Sequence, residues 1–233
     1  MTDLNLSSRS VLKRYMSSTH ASGVVITETE IPPVTGERFS ASEIRAFEKS
    51  EELSVDQAEA IVECHRPISL DNLRCLSPCV AQALGKCRYE LRLPSLDTIT
   101  DKAAFWLSGA PMLLLTGLQS VSARVAGHLK NARLWLDLGG LPGLSVAAAR
   151  ELAKTKAWLS LRGLKQLSPE LAQALAAHEG AGLSLRGVAS ITTEVAEILA
   201  HHRGATLRLS SLRNAPDHIR RILRKHVGEI CYH

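Results

Sequence analysis

Four cysteines lie close together in the first half of the sequence and are the first candidates for chemistry. Cys64, Cys75, Cys79 and Cys87 follow one another at short intervals, and His65 adjoins the first of them. Zinc sites usually combine two short Cys or His pairs, and only Cys75 and Cys79 have that spacing. Cysteine is also among the most frequently buried residue types. We therefore expect buried free thiols here, without a metal ion or another cofactor.

Motifs for catalysis are the second candidate. The stretch 139–143 (GGLPG) superficially suggests a phosphate loop, but the Lys and Ser/Thr that complete such a loop are missing. The sequence also contains neither H-E-x-x-H nor G-x-S-x-G. We therefore predict that the chain is not an enzyme.

The chain from residue 68 is built from a repeat that determines which residues share a surface. Apolar-x-apolar pairs begin every 22–24 residues, at Ile68, Leu91, Leu113, Leu136, Leu159, Leu183 and Leu207. Alternation of this kind is the period of a β-strand. Gly, Asn or Ser follows four residues after each start, and we interpret this column as a bend where glycine adopts positive φ. A period in the twenties is typical of a solenoid.

The second half of each repeat has the features of a short helix. A hydroxyl residue stands where it can cap the first turn, at Ser77, Thr100, Ser122, Ser145, Ser168 and Thr192. An alanine recurs further on, at Ala81, Ala104, Ala126, Ala149, Ala172 and Ala196, and its small side chain allows close approach to the strands. Each unit is therefore predicted to be a strand followed by a helix.

The form L-x-L-x-G-L-x-x-L-S-x-x-x-A-x-x-L resembles the leucine-rich repeat family, especially bacterial, planctomycete-like arrays, over about residues 53–212. The resemblance implies an α/β solenoid with parallel strands on the concave face, short helices on the convex face and helical caps at both ends. It also implies a curved scaffold, usually for binding protein. The chain departs from the common family pattern because Leu or Val occupies the column that usually holds an Asn ladder.

Four segments follow from these patterns. Residues 1–41 are a flexible leader rich in Ser and Thr, which could alternatively be the export signal of a bacterial effector. Residues 42–67 form an N-terminal helical cap, in which Ser54 and Gln57 fit a capping box. The array spans 68–212, and residues 213–233 form a basic C-terminal helical cap.

The candidate site consists of residues that would line the concave face. They are Met112, Leu114, Trp135, Asp137, Trp158, Arg162, Arg186 and Arg208. Because parallel strands lie about 4.8 Å apart, Trp135 and Trp158 would stack, and the three arginines would form a cationic strip. Trp and Arg dominate interface hot spots. Alternatively, the tryptophans have only a structural role and pack against each other or under the leader.

The partner that best matches these columns is a protein with an apolar anchor flanked by acidic residues. Asp137 is the only acidic residue in the central columns, so a carboxylate pair for acid–base chemistry is not evident. Nucleic acid, bound by the arginines and the basic C-terminal helix, is the less favoured alternative, because a net charge of +5 is modest.

Three further expectations concern location and the histidines. The sequence has no apolar run of membrane-spanning length, so we expect no membrane segment. An odd number of cysteines without a secretory signal favours the cytoplasm. His178, His201 and His202 fall near predicted helix ends, where a histidine complements the helix dipole.

Overall fold

Eight short strands form one parallel sheet in sequence order in the computed structural model, which describes residues 39–212, 214–226 and 228–231. The strands are β1 (Ile68–Ser69), β2 (Glu90–Arg92), β3 (Met112–Leu114), β4 (Trp135–Asp137), β5 (Trp158–Ser160), β6 (Gly182–Ser184), β7 (Thr206–Arg208) and β8 (Glu229–Cys231). The repeat starts are paired in register, for example Leu91 with Leu113 and Leu136 with Leu159. The predicted α/β repeat class and its phase are confirmed.

A short helix follows each of the first seven strands, and within the described residues two helices precede β1. The helices are α1 (Ala41–Phe47), α2 (Val55–Glu63), α3 (Pro78–Leu84), α4 (Asp101–Leu107), α5 (Ala123–Leu129), α6 (Val146–Leu152), α7 (Pro169–Ala176), α8 (Thr193–Ala200) and α9 (Asp217–Leu223). A 3-10 turn at Ser210–Leu212 lies between β7 and α9. All six predicted caps are present, because each hydroxyl accepts the amide N–H three residues later, as Ser145 does from Ala148.

The core lies between the sheet and the helices. Leucines of the strands, such as Leu136 and Leu159, and alanines of the helices, such as Ala149 and Ala172, have no exposed surface. Burying a leucine fully contributes roughly 1.5–3 kcal/mol. Because each helix packs on its neighbours in sequence order, this core continues from one unit to the next.

The glycine column has a different cause from the one that we expected. Neither Gly140 nor Gly187 has positive φ; instead, a Cβ at Gly140 would collide with the carbonyl of Thr116, and one at Gly187 with the carbonyl of Arg162. Where the column holds another residue, the side chain bonds to that preceding carbonyl, as the Ser211 hydroxyl does with Arg186. The column therefore lets each loop pack on the backbone of the loop before it.

The two ends of the array differ in how well the sequence describes them. The predicted capping box between Ser54 and Gln57 is present at the start of α2. At the other end Ile219 and Leu223 are buried on α9, but β8 follows and extends the sheet, a strand that we did not predict. The predicted leader lies almost entirely outside the described residues. Within the described ranges, no helix combines the length and the apolarity needed to cross a bilayer.

Candidate partner-binding surface

The strand face, defined here as the side of the sheet away from the helices, carries most of the predicted site. Six of these residues lie on strands and are buried: Met112, Leu114, Trp135, Asp137, Trp158 and Arg208. The other two lie in the loops after β5 and β6, where Arg162 is exposed and Arg186 is half-buried. Repeat phase thus brings the strand residues together and leaves two arginines at the margin.

The two tryptophans stack as predicted. Trp135 is in register with Trp158, and their rings are 5.4 Å apart with 13° between the planes. On the other side in strand order, Gly182 leaves room for the Trp158 ring, which a Cβ there would strike. The guanidinium of Arg208 lies 4.9 Å from the Trp158 ring centre, within cation–π range. Trp158 is therefore held between an aromatic ring and a cation.

This cluster contains hydrogen-bond donors that are not used. The indole Nε1 of Trp158 and the Nε of Arg208 are both buried, and neither has an acceptor among the residues that the structure describes. A buried donor without an acceptor costs about 1–3 kcal/mol. The cluster would therefore be stabilised by any carbonyl or carboxylate oxygen that reached it.

Asp137 is a buried carboxylate of the strand face. Its Oδ1 accepts the N–H of Gly139 at 2.8 Å, and its Oδ2 lies 3.3 Å from the guanidinium of Arg162. Burial raises the pKa of the Asp137 carboxyl above its usual value, although Arg162 and the hydrogen bonds from Ser160 and Gly139 oppose that shift. Asp137 thus positions Arg162 at the margin of the tryptophan cluster.

The three arginines of the predicted cationic strip have different surroundings. Arg162 pairs with Asp137, and Arg208 lies over Trp158. Arg186 has no ion pair with any described residue, and its carbonyl accepts the Ser211 hydroxyl. Arg92 on β2 was not predicted as a site residue; its side chain is half-exposed and pairs with Glu90. The exposed guanidinium groups of the strand face are therefore those of Arg92 and Arg162, and each is paired with a buried carboxylate.

The cysteines only partly follow the sequence analysis. Cys64 and Cys87 are buried, as predicted, and burial raises the pKa of both thiols. Cys75 and Cys79 are exposed, so their predicted burial is wrong. In the described part of the chain, no three His, Cys, Asp or Glu side chains are grouped so that they could hold a metal ion.

Three buried histidines form a column that the sequence analysis missed. His178, His202 and His226 stack with ring centres 5.7 and 5.4 Å apart. The predicted helix-end role holds for His201, whose Nδ1 lies 2.8 Å from the Glu197 carbonyl. The available signal was His-x-Gly at a 24-residue period, since each histidine precedes Gly180, Gly204 or Gly228 by two residues.

The hydrogen bonds of this histidine column fix one tautomer in the neutral state. The N–H of Gly228 donates to His226 Nδ1, so the proton of His226 is on Nε2, which donates to His202 Nδ1 at 3.2 Å. His202 Nε2 donates to His178 Nδ1 at 3.4 Å, and His178 Nε2 donates to the Ala157 carbonyl at 3.2 Å. Backbone groups close the chain at both ends, so it is a structural element and not a route for protons.

Comparison with known proteins adds no assignment. The chain matches no protein-family model, and a search of curated proteins finds none that is similar to it.

Proposed function

We propose that the chain is a non-enzymatic scaffold that binds a protein partner on the strand face, the concave side of a leucine-rich-repeat-type array. The observation that carries this proposal is the Trp135–Trp158 stack with Arg208 beside it. Aromatic residues and arginine are the types that dominate protein interfaces, and here they lie on β4, β5 and β7 of one sheet.

The unused donors of the cluster support a polar contact at its centre. The indole N–H of Trp158 and the Nε–H of Arg208 lack acceptors among the described residues. A partner segment that reached the cluster with a backbone carbonyl or a carboxylate would supply the missing acceptors. Binding would then be favoured because it satisfies two buried donors that have no acceptor in the described part of the free protein.

The charge at the margin favours an acidic partner. The side chains of Arg92 and Arg162 are 49% and 52% exposed, and Arg186 is half-buried. Exposed charges at the rim of an interface mainly accelerate association and orient the partner. We therefore propose an apolar anchor flanked by acidic residues, with the anchor supplying affinity and the acidic residues supplying orientation.

Affinity capture from nuclease-treated lysate tests this function, because nuclease removes proteins that are bridged by nucleic acid. We expect Trp158→Ala to weaken binding of captured proteins by roughly 2 kcal/mol or more, as a central hot spot does. Arg162→Ala is the second variant; because it leaves the buried Asp137 carboxylate without its cation, urea unfolding must confirm that this variant and Trp158→Ala are folded. Arg162→Ala should reduce the association rate.

Arg221→Ala on the exposed face of α9 is the matched control, because it also removes an exposed arginine. It should capture the same proteins as the wild type. If Trp158→Ala and Arg162→Ala both retain the same proteins at the same strength, the strand face is not the binding surface.

We also propose a reducing compartment such as the cytoplasm as the place of action. The buried thiols of Cys64, Cys87 and Cys231 support this, since burial raises the pKa of all three. A protonated, buried thiol packs as a small apolar side chain.

A further inference from the structure

The loops that lead from each helix to the next strand form one edge of the array, called here the loop edge. From residue 64 to residue 228 these loops contain ten Lys or Arg residues and one acidic residue, Glu179. Among the described residues, the loops at the opposite edge, from each strand to the next helix, contain four Lys or Arg residues and two acidic residues. Cations separated by about one repeat in the sequence are thus gathered along a single edge. Six of the ten pair with a carboxylate, and the four without an ion pair to a described residue are Arg88, Arg133, Arg224 and Lys225.

Exposed aromatic side chains lie at the same edge. Tyr89 is 43% exposed in the loop after α3, and Phe105 and Trp106 are 50% and 38% exposed in the last turn of α4. Phe105 makes edge-to-face contacts with Trp106 at 5.0 Å and with His128 of α5 at 5.7 Å. A contiguous exposed apolar patch, unlike single scattered residues, is typical of an interaction site.

Packing places these aromatic residues between exposed arginines. A side chain at Gly85 would strike the carbonyl of Trp106, so the end of α4 lies directly against the loop that carries Arg88. On the other side, Arg133 follows α5, the helix of His128. Both arginines are exposed, and neither has an ion pair with a described residue.

A cleft continues the positive surface beyond Arg133. Its volume is about 420 Å³, and Lys130, Arg133, Lys154 and Lys156 line it. Lys130 and Lys154 share one carboxylate, Glu151, and Lys156 pairs with Glu179, so the four cations of the cleft face two carboxylates and an excess of positive charge remains.

We propose that the loop edge binds single-stranded nucleic acid, a function separate from protein binding on the strand face. Bases stack on Phe105, Trp106 and Tyr89, and backbone phosphates lie against Arg88, Arg133 and the lysines of the cleft. Aromatic side chains bordered by cations are the general means of binding single strands. The stacking surfaces favour a single strand over a duplex, whose bases are already stacked, and over an acidic protein, which has no bases.

The test is fluorescence anisotropy with labelled oligouridine and oligothymidine of about 16 nucleotides, the upper end of what one such site covers. A duplex of the same length and polyglutamate serve as competitors. We expect either single strand to bind, the duplex to compete less well, and Phe105→Ala/Trp106→Ala to weaken binding roughly tenfold or more. Arg88→Gln/Arg133→Gln should reduce the slope of log affinity against log salt by about 1.4.

Arg74→Gln/Lys165→Gln is the charge-matched control, because both of these cations are exposed on loops at the opposite edge. It should leave affinity and salt slope close to those of the wild type. The proposal is overturned if no single strand binds at low salt, or if the control loses as much affinity as Arg88→Gln/Arg133→Gln. It is also overturned if polyglutamate or duplex competes as well as a single strand while Phe105→Ala/Trp106→Ala has no effect. Urea unfolding of each variant confirms that it is folded.

Discussion

His202 lies with its Nε2 3.4 Å from the Nδ1 of His178, and the two rings stack with only 13° between their planes. Each imidazole of the histidine column accepts through Nδ1 and donates through Nε2. A proton added at Nδ1 would therefore remove an acceptor and place two donors opposite each other. For His178 and His202, the fold therefore favours the neutral imidazole by geometry as well as by burial.

This column should make the protein unstable in mild acid. Burial lowers the pKa of His178, and burial together with the neighbouring imidazoles lowers the pKa of His202 to about 3. The unfolded chain binds these protons near pH 6.5 and the folded chain only at lower pH, so stability is complete above about 6.5 and falls as the pH decreases. Urea unfolding measured from pH 7 to 4 should show this fall.

His202→Gln isolates the contribution of one imidazole. Glutamine can donate and accept but does not titrate, so the slope of unfolding free energy against pH between about 6 and 4 should decrease by about 1.4 kcal/mol per pH unit. His218→Gln, which removes an exposed histidine of α9, is the control and should keep the wild-type slope. Identical slopes for all three proteins would show that the histidine column does not govern acid stability.

Two glycines three residues apart should respond oppositely to alanine. At Gly140 a Cβ would collide with the carbonyl of Thr116, which is backbone of the preceding loop and cannot move aside easily. Gly140→Ala should destabilise the protein by about 1–3 kcal/mol or more, as overpacking does. At Gly143 nothing lies within 4 Å of that position, so Gly143→Ala should stabilise by about 0.4–1 kcal/mol. Chemical denaturation of both variants measures the difference; two equal changes would contradict the packing of these loops.

The core alanines should not tolerate charge. Ala172 on α7 has no exposed surface, so Ala172→Asp would bury an unpaired carboxylate between helix and sheet and cost more than about 4 kcal/mol. Arg221→Ala on the exposed side of α9 should change stability by less than about 0.5 kcal/mol. The comparison is made by urea unfolding at neutral pH, and a tolerated Ala172→Asp would mean that the helix is rotated.

The sequence predicts the features of this fold that depend on one local period. Leu136 and Leu159 mark strands, Ser145 marks a helix start, and parallel pairing in register then implies the Trp135–Trp158 stack. The sequence predicts a residue's role less well where that role depends on contacts with a second repeat unit. Position 140 requires glycine because the carbonyl of Thr116 in the preceding loop leaves no room for a side chain. The local conformational preference of glycine does not reveal this contact.

The histidine column and the last strand were missed for similar reasons. His178 and His202 each lie near a helix end, and a histidine at that position is explained by its own helix alone. Only the packing of successive units shows that the two rings stack. Strand β8 carries Ile230 between Glu229 and Cys231, without the leucine pair that marks the other units. It forms because β7 offers it an open edge.

The packing at Trp158 gives a final prediction about the candidate site itself. A Cβ at Gly182 would strike the six-membered ring of Trp158, which cannot shift freely because Trp135 stacks on it and Arg208 lies over it. Gly182→Ala should therefore destabilise the protein by about 1–3 kcal/mol and alter the near-ultraviolet circular dichroism of the tryptophans. Gly127→Ala is the control, since Gly127 lies inside α5 and its nearest neighbour is the Glu151 carboxylate at 3.7 Å. It should stabilise by roughly 0.5–1 kcal/mol and leave the spectrum unchanged. An unchanged spectrum in Gly182→Ala would show that Trp158 does not lie over Gly182 and that the tryptophan cluster is arranged differently.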